Sequence, residues 1–109
     1  MIGRVAGRVA MVTGAAGGIG QAIARRFGQE GARLVLSDID ADLLAPLAAE
    51  LEMSGNEAIA LSHDVREEAG WERVMAAVEQ RFGTLDILVN NAGVAAPAPT
   101  VFEDITLAQ

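Results

Sequence analysis

Gly14, Gly18 and Gly20 stand in the segment Thr13-Gly14-Ala15-Ala16-Gly17-Gly18-Ile19-Gly20, between an apolar run and a helix-like pattern. Each has a mechanical task. Gly14 lets the chain turn sharply off a strand, Gly18 lets backbone approach a phosphate, and Gly20 lets a helix pack against the strand. A turn of this kind aims backbone N–H groups and a helix N-terminus at one point, where a pyrophosphate can sit. The plain alternative is a glycine-rich connection without function. The strand before it and the helix after it favour nucleotide binding.

Further candidates close the later apolar runs. Asp38 follows Gly14 by 24 residues. A carboxylate there can accept hydrogen bonds from adenosine ribose hydroxyls and would repel a 2′-phosphate, and the next residue, Ile39, brings no positive charge to offset it. NAD is therefore expected over NADP. Asp40 and Asp42 stand close by, so a helix-capping or solvated acid is the alternative. Asp64 can reach an adenine amino group or cap the helix beginning near Glu67, and the two roles are compatible. His63 is the only histidine and has no partnered acid or second His in a readable motif, so it reads as structural or surface rather than catalytic. In Asn90-Asn91-Ala92-Gly93 an asparagine amide can tie strand ends together, and Ala-Gly leaves a ligand room beside the backbone; an ordinary turn is the alternative. No paired-carboxylate or metal-ligand spacing emerges, so no catalytic residue and no metal ligand is assigned.

The elements that must position these residues alternate. Strands are expected at Val9–Thr13, Arg33–Asp38, Glu57–Ser62 and Leu85–Asn90. Helices are expected at Ile19–Glu30, with Ile19, Ala22, Ile23 and Phe27 inward and Gly31 as cap, and at Ala41–Met53, with Asp40 as N-cap and a late start or kink at Pro46. A third helix, Glu67–Phe82, turns Val74, Val78 and Phe82 inward and closes at Gly83. This order specifies α/β architecture, a Rossmann-type doubly wound parallel sheet of which only the first half is present, in one partial domain over residues 1–109. Residues 94–109 read as a loop with Pro97 and Pro99 and the possible start of a further helix near Thr106. Ligands in such sheets bind at strand carboxyl ends where the winding reverses, here between the first and fourth strands.

Composition narrows the function classes. A net charge of −7, with eight scattered arginines supplying all the basic residues, argues against nucleic acid as the main partner. No apolar run reaches a membrane span, the start lacks a signal-peptide core, and cysteine is absent, so a cytoplasmic protein without disulfides or thiolate metal sites is the plain reading.

Together the TGxxxGIG turn, Asp38, Asp64-Val65 and the NNAG segment resemble the amino-terminal half of a classical, NAD-preferring short-chain dehydrogenase/reductase over nearly all of residues 5–109. The resemblance implies that Gly14, Ala16, Ile19 and Gly20 line the pyrophosphate and that Asp38 holds the adenosine ribose. It also implies that Asp64 and Val65 flank adenine and that Asn91, Ala92 and Gly93 approach the nicotinamide-side ribose. Gly18 and Ile39 complete the expected cofactor-binding set. The family's catalytic Ser, Tyr and Lys lie beyond the matched stretch, and this sequence has no Tyr and no Lys. Arg66 stands where the family usually has a Ser or Thr cap.

The family's strand order, 3-2-1-4, leaves the fourth strand at an edge and the sheet face under the third helix largely uncovered. Association through that edge, with a second copy or a carboxy-terminal half, is expected from this. Three readings follow: the NAD-binding portion of an oxidoreductase that transfers hydride between NAD(H) and an alcohol or carbonyl, a stand-alone NAD-binding module, or an associating half-domain without activity.

Overall fold

The computed structural model describes residues 5–91 and 105–107. Its elements are β1 (Val9–Thr13), α1 (Gly18–Gln29), β2 (Arg33–Asp38), a 3-10 turn (Ala41–Leu43), α2 (Ala45–Met53), β3 (Ala58–Ser62), α3 (Glu68–Phe82), β4 (Ile87–Val89) and β5 (Ile105–Leu107). The sheet order is β3-β2-β1-β4-β5. The first four strands are parallel, in the order the family resemblance implies. β1 is buried along its whole length, as an interior strand flanked by helices on both faces must be.

Side chains alternate across the sheet into two cores. Ala10, Val12, Leu34 and Leu36 pack under α1 and α2 with Ala24, Leu47 and Leu51. Val9, Met11 and Val35 pack under α3 with Val74 and Val78. Glycine sets several of the turns between elements. At the end of α1, Gly31 adopts φ +90°, its N–H bonds the Gly28 carbonyl, and the Ala32 N–H reaches back to the Phe27 carbonyl at 3.0 Å. The late start of the second helix is found as expected. The Asp40 side chain accepts from the Asp42 N–H over the 3-10 turn, and Pro46 falls in the first turn of α2, where its missing N–H costs nothing.

Five expectations are corrected. The inward stripe of α1 is Gly20, Ala24 and Gly28 with Ile23 and Phe27 half-buried, whereas Ile19 is 58% exposed and Ala22 is exposed. Ile105–Leu107 is a strand, not the start of a helix, and it pairs antiparallel with β4 from Ile87↔Leu107 to Val89↔Ile105. The edge through which association was expected is therefore occupied by this chain's own backbone. The face under α3 is not bare either, because Val9, Met11 and Val35 have no exposed surface. Finally, β4 is shorter than expected: Asp86 precedes it, its N–H bonding the Val9 carbonyl while its carboxylate accepts from the Val9 N–H, each at 2.9 Å. Among the described residues no helix is long and apolar enough to cross a membrane.

Candidate functional site

The carboxyl ends of β1, β2, β3 and β4 line up along one margin of the sheet, and the turns leaving them are tied to one another. Gly14 takes φ +63°, a conformation costly for any residue with a Cβ, and turns the chain off β1. The Ala15 N–H then bonds the Ser37 carbonyl of β2 at 3.0 Å. One residue on, the Ala16 N–H bonds the Asp38 carboxylate at 3.1 Å, whose other oxygen accepts from the Asp40 N–H at 3.2 Å. Asp38 is thus oriented toward the glycine-rich turn and is not a freely solvated acid.

Helix α1 begins directly after this turn. Its N-cap, Gly17, offers no side chain, its first turn carries no acid, and its first backbone bond runs from the Gln21 N–H to the Gly17 carbonyl at 2.9 Å. The amides of Gly18, Ile19 and Gly20 lie ahead of that bond, at the positive end of the helix. A Cβ added at Gly18 would meet nothing within 4 Å, so the chain's own packing gives no reason for glycine there. Gly20 is the opposite case. An added Cβ would lie 2.3 Å from the Gly14 carbonyl oxygen, 2.8 Å from the Ala15 Cα and 2.9 Å from the Asn91 amide nitrogen.

The end of β4 is fastened to the same turn. The Asn91 N–H donates to the Thr13 hydroxyl at 2.9 Å, and the Asn91 side-chain amide donates to the Gly14 carbonyl at 3.3 Å. The Thr13 hydroxyl also lies 3.3 Å from the Val89 carbonyl and from the Asn90 amide oxygen. The convergence of the β1 and β4 exits expected from sequence is present. Ala92 and Gly93 lie outside the described residues.

At the third exit the Asp64 carboxylate does not cap α3, whose N-cap is Glu67. It accepts instead from Arg66, through the backbone N–H and Nε at 3.0 Å and Nη2 at 2.8 Å. The Arg66 hydrogen bonds hold its carboxyl well below the usual range, at about 2. Val65 is held by its carbonyl, which accepts from the Trp71 indole at 2.9 Å. Ile39, 65% exposed, extends beyond Asp38, with its carbonyl accepting from the Ser62 hydroxyl at 3.2 Å.

Sequence reasoning missed the buried links beneath these turns, Ser37, His63 and Trp71. His63 is enclosed, 2% exposed. Burial pushes its pKa down, Arg73 adds to the effect, and Asp64 opposes it. Both His63 and Asp64 are therefore deprotonated more readily in the folded chain than in the unfolded one. His63 leaves stability independent of pH above its ordinary value of 6.5 and lowers it as pH falls below that value, where the unfolded chain takes up the proton more readily. The Asp64 contribution is lost lower, as pH falls from 3.8 toward about 2. Urea midpoints are expected to be level above the histidine range and to decline below it. A His63→Phe variant should lose the upper part of that decline, and a variant retaining it would contradict the assignment.

The comparisons agree with this arrangement. The family described as short chain dehydrogenase matches residues 8–109. A 3-beta-hydroxysteroid dehydrogenase of Comamonas testosteroni is 46% identical over 97 residues, which cover 89% of this chain and 37% of that protein. A 2,5-dichloro-2,5-cyclohexadiene-1,4-diol dehydrogenase of Sphingobium indicum is 39% identical, over 89% of this chain and 39% of its own length. Among solved structures, a short-chain dehydrogenase/reductase from Burkholderia phymatum in complex with NAD superposes with a TM-score of 0.80 at 38% identity, over 84% of this chain and 33% of that one. An L-sorbose reductase from Gluconobacter frateurii complexed with NADPH and L-sorbose gives 0.82 at 39% identity, over 88% of this chain and 37% of that one. This chain thus spans well under half the length of these relatives.

Proposed function

The chain belongs to the short-chain dehydrogenase family, and we propose that its residues hold NAD as the dinucleotide-binding portion of an oxidoreductase acting on an alcohol or carbonyl. The observation that carries the reading is the 3.1 Å hydrogen bond from the Ala16 N–H to the Asp38 carboxylate. It couples the turn suited to a diphosphate with the acid suited to a ribose, so a ligand able to use both would meet a preformed site.

In this reading Gly14, Ala16, Gly18, Ile19 and Gly20 take the diphosphate on their backbone, and Asp38 with Ile39 takes the adenosine ribose. Asp64 and Val65 border the adenine. Asn91, with Ala92 and Gly93, faces the ribose on the nicotinamide side. Bound NAD would supply the hydride acceptor, and these residues would bind and orient it. The relatives' complexes contain NAD in one case and NADPH in another. Asp38, beside uncharged Ile39, favours NAD here, because a 2′-phosphate would bring like charge against the carboxylate.

A second reading, an NAD-binding module without turnover, is favoured by β5, which takes the β4 edge where a larger sheet would continue. Calorimetric titration with NADH tests the binding common to both. A saturable one-to-one isotherm with Kd tighter than about 1 mM, about −4 kcal/mol, is expected. Absence of heat and of any competing displacement would overturn both readings, and NAD reduction with a panel of secondary alcohols separates them.

A further inference from the structure

The buried ring of His63 has no place in the binding set, yet it joins three parts of the site. Its Nδ1 lies 3.4 Å from the hydroxyl of Ser37, which is fully enclosed. The backbone N–H of His63 donates to the Asp38 carbonyl at 2.8 Å, so ring and backbone both hold the end of β2. On the other side the ring meets Trp71 edge to face, centroids 4.2 Å apart at 84°. That indole in turn holds the Val65 carbonyl at 2.9 Å. Gly70 lies against the same ring: an added Cβ would make ordinary van der Waals contact, at 3.4 Å, with both the His63 Cδ2 and the Asp64 carbonyl oxygen.

Burying an imidazole here has a cost. Nε2 is enclosed without a hydrogen-bond partner among the described residues, a situation native proteins largely avoid. An apolar ring of similar volume would escape that cost, so stability alone does not account for histidine. What histidine supplies and phenylalanine does not is a polar link from the α3 side to Ser37, whose own carbonyl receives the Ala15 N–H of the glycine-rich turn.

We propose that His63 is a positioning residue for the adenosine end of the site: through Ser37 and Trp71 it sets the Asp64–Val65 exit against the Asp38 strand end. The inference rests on the dinucleotide reading for its consequence but not for its geometry, and the test separates the two. The chain has one Trp, so the Trp71 indole N–H gives one resonance whose hydrogen exchange reports the Val65 bond without ligand. In His63→Ala this exchange is expected to speed up about tenfold relative to the β1 amides, with NADH and ADP both weakened about tenfold because the loss lies in the half they share.

A His63→Phe, Ser37→Ala double variant fills the volume and removes the hydroxyl that would otherwise be stranded, which guards against simple unfolding. It is expected to melt no lower than the parent while binding NADH and ADP about fivefold or more weakly. Parental affinity in the double variant, or indole exchange in His63→Ala that rises no more than that of β1, would overturn the proposal. A parent chain that binds neither NADH nor ADP would overturn the cofactor reading instead, and the exchange comparison would still decide the role of His63.

Discussion

Gly20→Ala is expected to abolish measurable NADH binding and to lower the unfolding free energy by about 3 kcal/mol or more, the upper range for overpacking a filled interior. The reason is local. The new methyl would sit 2.3 Å from the Gly14 carbonyl oxygen and 2.8 Å from the Ala15 Cα, both backbone atoms that no rotamer change can move aside. Relief requires α1 to lift away from the turn, and that movement carries the amides of Gly18 and Ile19 with it. The Asn91 amide, 2.9 Å from the methyl, would be displaced from the Gly14 carbonyl as well. Gly18→Ala is the control, because its methyl meets nothing within 4 Å and should leave melting unchanged. Denaturant unfolding of the two variants with NADH titrations decides it. Equal stability in both would contradict the packing argument.

The second large effect concerns cofactor choice. The parent chain is expected to prefer NADH over NADPH by about 100-fold, about 2.8 kcal/mol, from the like charge of Asp38 against a 2′-phosphate. Asp38→Asn should keep an acceptor for the Ala16 N–H, and so keep the turn, while removing the charge. NADPH affinity should rise until the two cofactors differ by about fivefold or less, and NADH should weaken about tenfold as bonds to a charged acceptor become neutral. Parallel titrations measure both. A preference unmoved by Asp38→Asn would show that discrimination lies elsewhere.

Much of this arrangement was legible because it is written locally. The turn from Gly14 to Gly20 needs particular backbone conformations within a few residues, and strands buried on both faces carry apolar runs that stand out from amphipathic helices. The strand order came from the resemblance to short-chain dehydrogenases, and right-handed crossovers then assigned the helices to the two faces. The buried face of α1 was read only in part: Ile23 and Phe27 do pack against the core, but its closest contacts are made by Gly20, Ala24 and Gly28, which carry little hydrophobic signal yet permit close approach. At Gly28 an added Cβ would lie 2.9 Å from the Asn56 side-chain oxygen and 3.0 Å from the Leu51 side chain. Ile19, expected on the inward stripe, stands at the helix start, outside the core.

Other features left a weaker trace in the sequence, for different reasons. Three residues at 105–107 make no periodic pattern, and their strand exists only through pairing with β4. Asp64 offered a carboxylate to adenine or to a helix start, but a guanidinium two residues away forms a fork with it, a local geometry that the capping pattern obscured. The Ser37–His63 contact joins residues 26 apart and became visible only when β2, β3 and α3 were assembled.

The central claim is that the amides at the start of α1 and the carboxylate ending β2 form one dinucleotide site. Its most direct test is an amide-resolved NMR titration of the isotope-labelled chain with NADH. Saturable shifts confined to residues 14–20, 38–39, 64–65 and 91–93, with Met53 at the far end of α2 unmoved, are the predicted result. Shifts that bypass the 14–20 turn, or that move it without Asp38, would contradict the account.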